Sequence, residues 1–128
     1  MKTEIINEMI NGYKEAFIFA EPATDHNGEY IENLDDYDFS PSALKRITSD
    51  VTAFCSANVA AISEAMSDGA TANQIGNDLH FTRNGHGVGF WDRPEIYTTN
   101  TANRLTNAAK LMPSVHAYIG EDNLIYIE

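Results

Sequence analysis

Apolar residues first recur at helical spacing. Ile6, Met9, Ile10, Tyr13, Phe17 and Ala20 fall three and four apart, which predicts an amphipathic helix from Thr3 to near Pro22. Residues 21–40 keep no such period and read as a polar loop. Ser40-Pro41 then signals a helix start, with serine as N-cap and proline at the first helical position, where its missing N–H is not needed. Leu44, Ile47, Val51, Phe54, Val59 and Ile62 extend a stripe at helical spacing as far as Gly69, so the longest helix is expected over 41–69. Thr71 and Gln74 match a capping box, but Gly76 limits the helix they open to a turn or two.

After that the period changes to two. Asn84-Gly85 is a strong hairpin signal, because a type I′ turn needs positive φ at both central residues. With those two at the turn, Leu79, Phe81, Val88 and Phe90 share one face and Arg83 lies opposite His86. The other face holds His80 and Thr82 against Gly89 and Gly87, with Trp91 just beyond. Glycines so placed mark close packing, a bulge or the floor of a ligand site. Leu105, Ala108, Ala109 and Met112 predict a helix over 100–112, stopped by Pro113. Val115, Ala117 and Ile119 then alternate with His116 and Tyr118 ahead of a turn at Glu121-Asp122-Asn123, which predicts a second hairpin. The expected fold is one α+β domain over residues 1–128, its N-terminal helices packed on a small antiparallel sheet of two hairpins.

Composition narrows the partners. The 128 residues suffice to bury a core, and 19 acidic against 8 basic residues give a net charge of −11. Direct nucleic-acid binding is disfavoured, because the basic residues form no cluster that could outweigh this charge against phosphates. Seven of the acids, Glu21, Asp25, Glu29, Glu32, Asp35, Asp36 and Asp38, fall within residues 21–40, which hold no lysine or arginine. They are the candidate surface for a partner protein with a basic face. Cys55 is the single cysteine, which excludes an internal disulfide and fits a reducing cytoplasm. Charged residues interrupt the first twenty positions, so neither a signal peptide nor a membrane partner is expected.

No GxSxG, HExxH, P-loop or dinucleotide fingerprint occurs. His26, His80, His86 and His116 lack the close spacing of a preformed metal site, and the Asp25–Glu29 stretch has alanine at position 23 where a calcium loop would carry acid. The expectation is therefore no catalytic constellation, no metal and no cofactor. Arg83, Asn84, His86, Trp91 and Arg93 remain as a candidate site on the first hairpin, with histidine as acid or base and arginine holding an anion. The plain alternative is a solvated turn, or an ion pair to Asp78 or Asp92.

The stretches "DHNGEYIENLDDYDFSPSAL", "DVTAFCSAN", "LHFTRNGHGVGFWDR", "ANRLTNAAK" and "VHAYIGEDNLIY", in this order, resemble a family of small uncharacterised proteins of bacteriophages and mobile elements. The likeness spans nearly the whole chain and is most specific at Leu79–Arg93. His80 departs from it by standing where an aromatic is usual, and Pro94 by standing where small polar residues or glycine are frequent. The resemblance implies origin and fold. It makes a phage-type accessory protein the leading expectation: a non-enzymatic binder that inhibits a host protein, in a DNA-mimic or anti-defence role. A ligand-binding protein or enzyme using Arg83 and His86 is the first alternative. A structural homo-oligomer joined through the exposed edge of the C-terminal hairpin, at Ile125, Tyr126 and Ile127, is the second.

Overall fold

A computed structural model describes all 128 residues. Its helices are α1 (Thr3–Ala20), α2 (Pro41–Ala57), α3 (Val59–Ser67), α4 (Ala72–Arg83) and α5 (Thr99–Lys110), with a short 3-10 turn at Phe90–Asp92. Its strands are β1 (Ala23–Thr24), β2 (Tyr30–Ile31), β3 (Asp38–Phe39), β4 (Ala117–Ile119) and β5 (Leu124–Ile127). The fold is α+β, and no helix is long and apolar enough to cross a membrane.

The local signals explain two helix starts. Ser40 caps α2 by accepting from the Ala43 N–H at 3.1 Å, and Thr71 caps α4 by accepting from the Gln74 N–H at 3.1 Å. The helix expected over 41–69 is broken in two at Asn58. That residue leaves helical geometry at φ −130° and ψ 31°, and its Nδ2 donates to the Phe54 carbonyl at 2.8 Å.

The first predicted hairpin does not exist; residues 72–83 are helical instead. A type I′ turn needs positive φ at both central residues, yet Asn84 has φ −93° and only Gly85 is positive, at +67°. Asn84-Gly85-His86 closes α4 in a Schellman arrangement, with the His86 N–H on the Phe81 carbonyl at 3.0 Å and the Gly85 N–H on the Thr82 carbonyl at 3.2 Å. The alternation that suggested a strand has a different cause. All six residues from Asp78 to Arg83 are buried, so this part of α4 has no solvent face and shows no 3.6-residue period. Gly76 does not stop the helix either. It is where α4 crosses α1 backbone to backbone: a Cβ there would lie 2.8 Å from the Tyr13 nitrogen, and one at Gly12 would lie 2.8 Å from the Asn73 carbonyl carbon.

The sheet is mixed and five-stranded, in the order β2-β1-β4-β5-β3. The predicted C-terminal hairpin forms its centre, pairing Ala117 with Ile127 and Ile119 with Ile125. Segment 21–40, expected to be a loop, supplies the other three strands. β1 runs parallel to β4 and β3 parallel to β5, while β2 is antiparallel to β1. Between β2 and β3 the chain is held by Leu34, which is fully buried. The apolar residues of helices and sheet merge into one contiguous core of 24 buried side chains.

Candidate functional site

Three polar clusters surround α4, and each uses residues of the Leu79–Arg93 stretch. Arg83 is buried, with Nε donating to the Pro113 carbonyl at 2.8 Å, Nη1 to the Tyr13 hydroxyl at 3.1 Å, and an ion pair to Asp50 at 2.9 Å. Asp78 accepts from Arg93 Nε at 2.7 Å, from the Tyr97 hydroxyl at 2.7 Å and from Gln74 Nε2 at 3.1 Å. Burial first, then the Asp78 carboxylate, pushes the Tyr97 phenol far above its usual range, so it stays a donor. A buried charge persists only when paired and hydrogen-bonded, and both charges here are. Arg83 therefore does not face His86 across a hairpin, and its ion-pair partner is Asp50. Trp91 lies at the surface with Lys110 Nζ 5.7 Å from its ring centre, away from both. Gly89 is needed because a Cβ there would sit 2.7 Å from the Trp91 ring.

The third cluster is the one with chemistry. Glu21 follows the end of α1 and is only 7% exposed. Its Oε1 accepts from His80 Nε2 at 2.8 Å, from Asn84 Nδ2 at 2.9 Å, and in a very short contact from His86 Nε2. Asn84 is fixed in turn by Val115, donating to its carbonyl at 2.9 Å and accepting from its N–H at 3.0 Å. The rings are fixed as well. His80 sits edge-on to Tyr13, with centroids 4.9 Å apart, and His86 edge-on to Phe81, with centroids 6.2 Å apart. Burial alone would raise the Glu21 carboxyl, but the hydrogen bonds from His80, His86 and Asn84 outweigh it and hold the group at about 2. His80 moves down because burial disfavours its charged form, an effect that Glu21 only partly offsets.

Glu21 is thus removed from the acidic surface that the sequence suggested. Of the remaining acids, Asp25 is half-buried and structural, its Oδ1 accepting from the Asn27 and Glu29 N–H groups at 2.8 and 2.9 Å. Glu29, Glu32, Asp35, Asp36 and Asp38 are exposed, and none takes part in any ion pair of the molecule. They follow the chain from one edge strand of the sheet, β2, to the other, β3. Beside Asp38 an open groove of about 690 Å³ lies between α1, β3 and α2, floored by Ile18, Tyr37, Phe39 and Leu44. The edge proposed for self-association is covered only in part: β3 pairs with β5 at Leu124 and Ile125, while Tyr126 and Ile127 lie beyond that two-residue ladder and are paired by β4 alone.

Sequence reasoning missed the Glu21–His80–His86 cluster because Glu21 lies 59 residues before His80 in the chain and His80 appeared to face glycines. The usable signal was Asn84-Gly85 read as a helix C-cap, which folds His86 back over the last turn of α4. No family, characterised protein or solved structure matches the chain.

Proposed function

We propose that this chain is a non-enzymatic binder that presents the acids Glu29, Glu32, Asp35, Asp36 and Asp38 to a basic surface of a partner protein. The observation that carries this reading is the set of five exposed carboxylates with no internal counter-ion. Charges left unpaired in the free protein are available to steer a cationic partner and raise its rate of encounter. The groove beside Asp38, with four apolar residues on its floor and Asn11, Lys14 and Glu15 also lining it, adds contact area that charge alone does not provide. With the resemblance to phage proteins, the partner is a host protein with a basic face, such as one that handles nucleic acid, and binding inhibits it. The reading built on Arg83 and His86 as a surface site has less support, since Arg83 is consumed by Tyr13, Asp50 and Pro113.

The test is a tagged pull-down from host lysate at low and high salt, run beside the triple variant Asp35→Lys, Asp36→Lys, Asp38→Lys. A partner retained at low salt, released at high salt and lost with the triple variant is the expected result. Capture that ignores both salt and charge reversal overturns the proposal.

A further inference from the structure

We propose that Glu21, His80 and His86 form a binding site for one divalent transition-metal ion, of which zinc is the representative. The three ligand atoms, one carboxylate oxygen and two imidazole nitrogens, lie within 4.8 Å of one another. Ligands at about 2.0–2.1 Å from a metal stand roughly 3 to 3.4 Å apart in octahedral or tetrahedral sites, so the 2.8 Å between Glu21 Oε1 and His80 Nε2 needs little adjustment. The shorter contact, to His86, is the one that must open. The His86 side chain is 28% exposed, and the flanking Gly85 and Gly87 have open space where a Cβ would stand, so the ring has room to move by a few tenths of an ångström.

The surroundings are those of a ligand set held in place from behind. Asn84 Nδ2 orients the carboxylate while its own amide is locked on Val115, and Tyr13 and Phe81 set the planes of the two imidazoles. Such outer contacts hold metal ligands in position before the ion arrives. The donor set is selective. Two imidazoles with one carboxylate suit zinc and its transition-metal neighbours, whereas calcium and magnesium prefer oxygen alone.

Glu21 Oε1 now accepts from three donors at once, which leaves both Nε2 atoms protonated. An ion takes the place of the two imidazole hydrogens, and each ring either shifts its proton to Nδ1 or gives it up. His80 Nδ1 is buried without a partner, so the proton moved there becomes an unpaired N–H, a cost of about 1–3 kcal/mol that the bond to the ion must exceed. Access is from His86, whose side chain is 28% exposed, and a fourth position there is left for water.

The experiment uses the full chain, stripped with chelator and titrated with zinc chloride by calorimetry, with cobalt(II) absorption as a second readout. Uptake of one ion per chain is expected, with His86→Ala weakening it at least about tenfold, since even outer-shell losses cost that much. His86→Ala changes a half-exposed loop residue, and its circular dichroism shows whether the fold is kept. Glu21→Gln should weaken binding in parallel. No saturable uptake, or uptake unchanged in both variants, overturns the proposal.

Discussion

Replacing Gly76 with alanine tests how α1 and α4 are joined. In an exposed helix this change is stabilising by up to about 1 kcal/mol, because glycine has more backbone entropy to lose. At Gly76 the added Cβ would stand 2.8 Å from the Tyr13 nitrogen and 2.9 Å from the Met9 carbonyl carbon, with the Met9 oxygen closer still. Ordinary contact begins at roughly 3.5 Å, and these are backbone atoms that cannot rotate aside, so α1 must withdraw by on the order of 1 Å. Overpacking of this kind costs about 1–3 kcal/mol. The withdrawal also draws the Tyr13 hydroxyl away from Arg83 and Glu21 away from His80, now at 3.1 and 2.8 Å. Each buried polar group left short of a partner adds about 1–3 kcal/mol. Mid-range values of these terms, less the propensity gain, make Gly76→Ala destabilising by about 5 kcal/mol, or a fall in Tm on the order of 15–20 °C for a chain this size. Urea unfolding followed by far-ultraviolet circular dichroism reads it as a lower midpoint at constant slope. A variant as stable as the parent would refute the backbone crossing.

Two further outcomes follow from the buried charges. In the presence of EDTA, stability should fall steadily with acid. His80 has its folded pKa below 6.5 and Glu21 at about 2 against 4.5, so in both cases the unfolded chain takes up the proton first. Each contribution is present above the unfolded pKa and is lost as pH falls, from near 6.5 for His80 and between 4.5 and about 2 for Glu21. Urea midpoints across this range should drop monotonically, with Glu21→Gln flattening the lower part, and a midpoint that rises on acidification contradicts the assignment. Arg83→Met should cost about 3 kcal/mol, since removing one member of a buried pair costs about 3–5 kcal/mol and Asp50 keeps some contact with water. Arg83→Lys should recover little of that loss, because an ammonium cannot reproduce the guanidinium fork. A loss below about 1 kcal/mol for Arg83→Met, in the range of a plain surface change, would count against Arg83 as an internal anchor.

What the sequence revealed depended on whether an element keeps a wet face. α1, α5 and the start of α2 each leave one side to solvent, and their stripes of apolar residues were readable directly, as was the Ser40 cap of α2. α4 was not, because its second half is enclosed by neighbours and carries Asp78, His80 and Arg83 inside, where residue type no longer reports exposure. Asn-Gly compounded the misreading, since the positive φ of glycine serves a helix end as well as a hairpin. The short strands of segment 21–40 are two residues each, too brief for any alternation to show. Glu21 was grouped with the acids that follow it, although only tertiary contact with His80 and His86 separates its role from theirs.

The pairing of the sheet also sets an order of assembly. β1 and β3 join the rest of the sheet only through β4 and β5, and Asp38 waits for Leu124. On a chain emerging from the ribosome, the acidic segment is made early but has no lasting partner, because a two-residue β1–β2 ladder does not persist alone. The helices can meet while it stays loose, and pairing across such sequence separation comes late. The spacing of the five carboxylates is consequently a property of the finished molecule, and a nascent chain has no shaped arc to offer.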